Sequence, residues 1–370
     1  MSITSWLTDW VFELDYLTDH AERFVYSKIP PLGYLIHLVR FFYNAFIVLF
    51  TLTIALAALG GLGVQGYLQQ ILDIVGLIAQ RNISGAISAA LAFLSSYPVN
   101  AIIVLMIGQA LGGYGNNVLD DYARLDIEKN VTTGYEKRYL SPIRNGKIGK
   151  RGIKVTLVIL YGLSGLLCIA LYSMTEDLFH PVAWIVGIVG GSALVDFYLP
   201  NFLVKRLKTN RKWTETICDF MQNYFYILAM CYIAWKIIRP ISEMPLYMHI
   251  FLNLFYVASY YAFEFHDYDG DRASGQWNLS NILDNKLMAV AINWFLYFLL
   301  LVLVWAAALF GSFDGDIVFI SSLFMLIGWC ITCVFLGAVY KKPTRSLHGA
   351  YSIIWNIPVV APIIFVFIYG

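Results

Sequence analysis

Nine stretches of this chain are long enough and apolar enough to cross a lipid bilayer as helices, and no other feature constrains its fold as strongly. A helix needs about 20 mostly apolar residues to cross the hydrocarbon core. The nine stretches are residues 41–62, 97–118, 153–174, 180–200, 214–238, 245–265, 288–310, 317–340 and 350–369. They predict an all-α integral membrane protein with nine transmembrane helices.

The composition agrees with this interpretation. Apolar residues make up 59% of the chain and charged residues only 13%, whereas soluble domains average about 45–50% and about 25%. An ordinary soluble enzyme, a disordered chain and a nucleic-acid binder are therefore excluded, and membrane lipid is an expected partner.

The basic residues are strongly sorted between the two faces that nine spans create. The N-terminal segment and the loops after spans 2, 4, 6 and 8 share one face, and they hold 22 of the 25 Lys and Arg residues. Only Arg81, Lys236 and Arg239 fall on the other face. Because basic residues accumulate on the cytoplasmic side, we predict a cytoplasmic N-terminus and a C-terminus on the opposite face.

Two segments differ from the spans. Residues 1–33 have apolar residues at helical spacing with acids between them, which predicts an amphipathic segment before a membrane domain of residues 34–370. Within that domain, residues 63–96 contain apolar runs broken by polar residues. We interpret them as a non-cytoplasmic, interfacial or partly re-entrant insertion whose role the sequence does not specify.

Acidic and amide residues cluster where two of the spans end. The cluster after span 2 comprises Asn116, Asn117, Asp120, Asp121 and Asp126. The cluster after span 6 comprises Glu264, Asp267 and Asp271, whose i, i+3, i+7 spacing puts them on one helix face. A carboxylate near the membrane interior costs about 2.5–3.5 kcal/mol on insertion scales. Such clusters therefore indicate a function.

Both clusters open toward the predicted cytoplasmic face, and basic loops follow spans 4 and 8. This repeated order predicts two four-helix halves facing each other, plus a ninth helix. Oxygen ligands favour Mg²⁺, which commonly binds carboxylates together with substrate phosphate. The pattern thus indicates a substrate with a diphosphate head and an apolar tail. Solvated helix ends without a ligand are the competing interpretation.

These residues resemble the UbiA superfamily of intramembrane prenyltransferases, whose members have nine helices and two aspartate-rich motifs. The family pattern DxxDxxGDRxxGxxTL is matched here with Glu264 in place of the first Asp and Asn278 in place of Thr. The matching residues are Glu264, Asp267, Gly270, Asp271, Arg272, Gly275, Asn278 and Leu279.

The first family motif, NDxxDxxxD, is matched less closely. Asn116 and Asp120 fit its first and fifth positions, Asn117 replaces Asp, and Arg124 occupies the ninth position. Asp121 and Asp126 supply carboxylates in a shifted register, so either Asp120 or Asp121 can be the metal ligand. Residues 141–148 are similar to the family's RPxxSGxI segment, and residues 198–206 to its basic segment after helix 4.

The resemblance implies a UbiA-type prenyltransferase. It would use Mg²⁺ to transfer an isoprenyl group from an allylic prenyl diphosphate to a lipophilic acceptor of unknown identity, releasing diphosphate. The implied metal ligands, which act in catalysis, are Asp120, Asp121, Asp126, Glu264, Asp267 and Asp271. The implied substrate-binding residues are Asn116, Asn117, Arg144, Lys205, Arg206 and Arg272.

Two other functions stay open. A UbiA-type terpene synthase would cyclise a prenyl diphosphate without an acceptor, and a two-repeat secondary transporter is a third class. Asp196 and Asp219 interrupt spans 4 and 5. Each is either a functional intramembrane acid, Asp219 being a candidate base near the acceptor, or an interfacial residue.

Overall fold

The computed structural model describes residue 28 and residues 41–123, 148–266, 268–309 and 315–342. Every regular element in these ranges is helical, as predicted. The α-helices are α1 (Phe41–Ala79), α2 (Ile83–Ser95), α3 (Val99–Ala123), α4 (Lys150–Thr175), α5 (Phe179–Trp184), α6 (Leu199–Leu207), α7 (Arg211–Ile238), α8 (Leu246–His266), α9 (Tyr268–Ser274), α10 (Lys286–Leu309) and α11 (Gly315–Lys341). A π-helical segment (Ile185–Tyr198) joins α5 to α6, and a 3₁₀ turn (Ile241–Glu243) precedes α8.

Three of the described helices are long and apolar enough to cross a membrane. They are Val99–Asp120, Lys150–Thr175 and Lys286–Leu303. A fourth crossing results if the two parts of α1, Ile47–Gly60 and Gln65–Ala79, count as one broken span. The protein is therefore an integral membrane protein.

The count of nine spans stays a prediction. Helical structure runs through four further predicted spans, residues 180–200, 214–238, 245–265 and 317–340. The predicted ninth span, 350–369, and the predicted amphipathic segment, 1–33 apart from residue 28, lie outside the described residues.

Helix α4 shows the face that such a helix turns to lipid. A row of exposed aliphatic residues three or four positions apart runs along it: Val155, Ile159, Leu163, Leu166 and Ile169. The buried residues of α4, among them Ser164 and Leu171, lie on the face that packs against α3 and α5. An apolar row facing outward along a whole helix is typical of contact with hydrocarbon.

The hydrophobic core of the described residues consists of two large clusters and a small third one formed by Val118 and Ile153. One large cluster is formed by α3, α4, α5 and the π-helical segment, and the other by α8, α10 and α11. Helices α1 and α7 contribute to both, for example through Ala55 and Met230 to the first cluster and Ile54 and Trp235 to the second. This division follows the predicted halves, with the first helix of each half shared.

The structure differs from the prediction at the first and fourth spans. Helix α1 continues past the expected end at residue 62, with non-helical backbone angles at Gly60 (φ 72°, ψ 172°). The fourth span is α-helical only to Trp184 and then π-helical. There a Cβ on Gly187 would lie 2.9 Å from the Ala229 Cβ, so this backbone packs directly on α7. Close packing on a neighbour, which the sequence pattern does not reveal, accompanies the wider helix.

Candidate active site

The end of α3 carries the first predicted cluster, and a neighbouring helix holds one of its amides. The Tyr161 hydroxyl of α4 donates a hydrogen bond to Asn116 Oδ1 at 2.8 Å. The Tyr161 ring can approach because Gly115 has no side chain, since a Cβ there would lie 3.0 Å from it. Asn117 is buried, and Asp120 lies half-buried one turn after Asn116. The cluster is thus at the inner surface of the bundle.

Other members of the first cluster are only partly placed. Asp121 belongs to the last turn of α3. Asp126 of this cluster lies outside the described residues, as does Arg144, a predicted substrate-binding residue. Their predicted roles stay predictions.

The second predicted cluster lies where α8 passes into α9. Glu264 is half-buried in the last turn of α8, and Asp271 in α9 is only 7% exposed. The Asn278 side-chain amide donates a hydrogen bond to Asp271 Oδ2 at 2.8 Å. Asp267, between them in sequence, lies outside the described residues. Asp271 is therefore a buried carboxylate oriented by an amide.

A buried polar turn of residues 276–281 supports Asp271, and we call it the Asn278 turn. Asn278 Oδ1 accepts hydrogen bonds from the backbone N–H groups of Ser280 and Asn281, both at 3.0 Å. Asn281 Oδ1 in turn accepts from the Asn278 N–H at 2.9 Å. Gln276 N–H donates to the Asp271 carbonyl at 2.8 Å. This reciprocal pattern is an Asx-type turn, which asparagine favours.

The basic groups next to this turn are engaged with carboxylates. Lys286 Nζ lies 2.5 Å from Asp269 Oδ2, and Arg272 Nη2 lies 3.3 Å from Asp284 Oδ1. Lys212 of α7 also pairs with Asp284 at 2.8 Å, and its hydrogen bond lowers the pKa of that carboxyl. Arg272, a predicted substrate-binding residue, is thus held at the surface of the site.

The two other predicted basic residues are at the end of α6. Lys205 and Arg206 lie in the last turn of this helix, and both side chains are exposed. The helix that carries them directly follows the π-helical segment. Their contact with the substrate stays a prediction.

Helix α7 lies between the helices that carry the two clusters. Two hydrogen bonds fix it antiparallel to α3: Tyr97 OH donates to the Ile237 carbonyl at 2.5 Å, and Tyr226 OH donates to the Gln109 carbonyl at 2.9 Å. The second hydrogen bond joins position 109 of α3 to position 226 of α7. Seven residues further toward the clusters, α3 reaches Asn116 and the antiparallel α7 reaches Asp219. Because both helices rise about 1.5 Å per residue, these two residues lie at the same level.

Asp219 is tied to the other neighbour of α7. Its carboxylate accepts a hydrogen bond from the Tyr260 hydroxyl of α8, one turn before Glu264. Asp219 therefore lies inside the bundle, between the two clusters, which favours the intramembrane interpretation. Asp196 belongs to the π-helical segment. An aromatic cluster surrounds the contact, with ring centroids 5.4 to 5.8 Å apart: Phe220, Tyr224, Tyr256 and Tyr260.

Sequence reasoning did not assign roles to the residues that hold the clusters. Tyr161 and Tyr260 were two of many tyrosines, and Asn278 was only a departure from the family pattern. The spacing of Asn278, Ser280 and Asn281 is a signal that could have indicated the turn.

The donor set matches the chemistry of a hard divalent cation. The cluster residues that the structure places offer carboxylate and amide oxygens, the ligands that Mg²⁺ prefers. Among the described residues, no group of three or more His, Cys, Asp or Glu is close enough together to hold a metal ion. The predicted set that contains Asp267 lies partly beyond those residues.

Comparison with known proteins decides the fold. Structures of a UbiA homologue from Archaeoglobus fulgidus, one bound to DMAPP and Mg²⁺ and one bound to GPP and Mg²⁺, each match with a TM-score of 0.54 at 12% identity. The alignments cover 90% of this chain, and 98% and 99% of the homologue. The chain has the UbiA fold.

The predicted resemblance is thereby confirmed at the level of the fold. No protein-family model matches the sequence, and no curated protein does. At 12% identity, the shared fold does not assign roles to individual residues, so these roles must be argued from the chain's own geometry.

Proposed function

We propose that this protein is an intramembrane prenyltransferase, which moves a prenyl group from a prenyl diphosphate to a lipophilic acceptor. The observation that carries the proposal is the fold, because the UbiA homologue with this fold binds DMAPP or GPP together with Mg²⁺. The clusters at the ends of α3 and α8 support it, since they offer oxygen ligands on two sides of α7.

The proposed metal ligands are the carboxylates of the two clusters. Asp120 stands on the α3 side, with Asp121 and Asp126 as further ligands of that cluster. Glu264 and Asp271 stand on the α8 side, with Asp267 between them in sequence. Mg²⁺, when bound, supplies positive charge that neutralises the diphosphate.

The chain's own residues have two tasks in the departure of the diphosphate. Asn278 orients the Asp271 carboxylate, and Tyr161 orients the side-chain amide of Asn116. Lys205, Arg206, Arg144 and Arg272 are proposed to share the charge of the departing diphosphate, as the bond from its oxygen to the prenyl carbon breaks and the electron pair stays on oxygen. The acceptor then forms the new bond to that carbon and gives up a proton.

The aromatic cluster around Asp219 is suited to the prenyl end of this reaction. Its rings present π faces, which stabilise positive charge, next to a carboxylate inside the bundle. Asp219 remains the candidate to take the proton from the acceptor.

The proposed topology has nine spans, with the N-terminus and the site facing the cytoplasm and the C-terminus opposite. This topology is supported by the positions of Lys236 and Arg239, two of the three basic residues assigned to the non-cytoplasmic face. Lys236 pairs with Asp177 at 2.7 Å, and Arg239 lies against Gly60, both at the end of the bundle away from the clusters. Labelling of single cysteines in residues 1–33 and 63–96 of sealed vesicles tests the sidedness.

Release of diphosphate tests the function. Purified protein in phosphatidylcholine nanodiscs is incubated with Mg²⁺ and labelled prenyl diphosphates of several chain lengths, DMAPP and GPP among them, with and without a lipid extract as acceptor source. Label entering a lipid product only with the extract supports transfer, and a product formed without it supports the terpene synthase instead. If no diphosphate is released under either condition, both enzyme functions are wrong.

A matched pair of variants ties the activity to the α8 cluster. Asp271→Asn removes a proposed ligand and should lower diphosphate release at least about 100-fold, because electrostatic groups of this kind contribute that much. Asp269→Asn is the control, since Asp269 lies two residues away and pairs with Lys286. Equal losses in the two variants would contradict the assignment of Asp271.

A further inference from the structure

Residues 65–95 form two short helices that leave the bundle at the end away from the clusters, and we call them the bent hairpin. Its first helix, Gln65–Ala79, is bent by 112° from Ile47–Gly60. Its second helix is α2, which leads through residues 96–98 into α3. The hairpin is thus inserted between two helices that cross or enter the membrane.

The bent hairpin exposes an apolar row on each of its helices. On the first helix the row is Leu72, Val75 and Ile78, which are 53%, 54% and 52% exposed. On the second helix it is Ile83, Ile87, Leu91 and Leu94, at positions i, i+4, i+8 and i+11 and 47% to 63% exposed. Spacing of three and four residues keeps each row on one helix face.

The opposite face of the first helix is polar. Gln69 and Asp73 are one turn apart and exposed, and the Gln69 side-chain amide donates a hydrogen bond to Asp73 Oδ1 at 2.8 Å. In helical projection Asp73 lies about 160° from Val75, since successive residues turn by about 100°. The first helix therefore separates polar from apolar groups.

Length and orientation point to a position in the surface of the membrane. The helices have 15 and 13 residues and are about 20 Å long, whereas the hydrocarbon core is about 30 Å thick. If Ile47–Gly60 runs along the membrane normal, a helix bent 112° from it lies within about 25° of the membrane plane. The low number of charged residues is consistent with this position, because the sequence between positions 65 and 98 contains only Asp73 and Arg81.

We propose that the bent hairpin lies in the interface of the bilayer, with both apolar rows against the acyl chains and the Gln69–Asp73 face toward the headgroups and water. The occupant of its exposed apolar surface is lipid, because the hairpin is continuous with α1 and α3 at the membrane boundary. A soluble protein rarely exposes so much contiguous aliphatic surface. This proposal does not depend on the proposed enzymatic function.

Collision accessibility of spin labels tests it on the full chain in phosphatidylcholine nanodiscs. The exposed Cys330 and Cys333 are replaced by serine, and the other three cysteines are buried. Val75→Cys and Asp73→Cys are then labelled separately. At position 75 we expect high accessibility to oxygen and low accessibility to the water-soluble nickel reagent NiEDDA, with the ratio reversed severalfold at position 73.

Two results would overturn the proposal. NiEDDA access at both positions would place the hairpin in water. Loss of access to both reagents at position 75, with dipolar broadening between labels, would mean that a second copy of the chain covers it. If Val75→Cys fails to fold, Leu91→Cys gives the same measurement of oxygen and NiEDDA accessibility on the second helix.

Discussion

The ends of α3 and α8 carry similar side chains, yet they are held in place in different ways. At the α8 end, Asp271 is supported by a turn formed from the residues that follow it, with Asn278 at its centre. At the α3 end, Asn116 depends on Tyr161 from a different helix. A site held by its own following residues keeps its geometry wherever the helix goes, whereas one held across helices depends on their packing. The difference makes separate predictions for the two ends.

The largest effect should follow from breaking the Asn278 turn. Asn278→Ala removes one donor and one acceptor that serves three groups, all buried. We expect a loss of about 3 kcal/mol of unfolding free energy, because several buried polar groups lose their partners. Reversible unfolding in mixed micelles measures it. Asn285→Ala is the control, since its side chain only accepts from the Met288 N–H at an exposed helix start. Equal losses of unfolding free energy in the two variants would show that the Asn278 turn does not stabilise this region more than an ordinary helix start.

A smaller effect is expected at the α3 end. Tyr161→Phe removes one hydrogen bond to Asn116 and should cost about 1 kcal/mol. The KM for the proposed prenyl diphosphate substrate should rise up to about fivefold, since about 1 kcal/mol of lost binding free energy corresponds to a factor of about 5. Steady-state kinetics measure it, with the exposed Tyr172 of the same helix, changed to Phe, as control. An unchanged KM would mean that Asn116 needs no support from α4.

Deeper in α3, a substitution at Gln109 should stabilise the protein rather than destabilise it. Gln109 is fully buried, and within the described structure neither atom of its side-chain amide makes a hydrogen bond. Gln109→Leu should therefore raise the unfolding free energy by about 1–2 kcal/mol, because it removes an unsatisfied buried amide. Thermal unfolding measures the gain, and the exposed Gln69→Leu should change little. A loss of stability at position 109 would reveal a partner for the amide.

The smallest effect concerns the opposite end of the bundle. A hydrogen bond from Lys236 lowers the pKa of the Asp177 carboxyl. This contribution to stability is present above the unfolded pKa near 3.9 and is lost as the pH falls through the lower folded value. Because the pair is about a third exposed, it should contribute under about 1 kcal/mol. The Tm difference between wild type and Lys236→Met should be constant from pH 5 to 7 and shrink toward pH 3; a constant difference down to pH 3 would exclude the linkage.

Much of the fold could be predicted from the sequence, because long apolar runs have few alternatives to a helix. The segments that became α3, α4, α7, α8 and α10 are examples. The bend at Gly60 and the π-helical segment could not be predicted, since they depend on which helix packs against which. A run of apolar residues gives no information about that choice.

The residue types of the candidate site could be predicted from the sequence, but the contacts that hold these residues in place could not. The prediction of Asp120, Glu264 and Asp271 rests on residue type, because a carboxylate at the end of a membrane helix is costly unless it has a function. The supporting contacts Tyr161–Asn116 and Tyr260–Asp219 join residues 45 and 41 positions apart. Only the packed helices bring them together, so neither pair is visible in the sequence.

The sharing of α1 and α7 between the two core clusters has a mechanical consequence. Proteins that alternate between inward and outward access rotate one half against the other as rigid bodies. Such a rotation requires a boundary that slides, whereas here the boundary is filled by two helices that belong to both halves. Turning the halves would break both cores, and close-packed interiors resist such deformation. Packing of this kind favours a bundle that behaves as a fixed frame, with larger motions confined to segments at its ends.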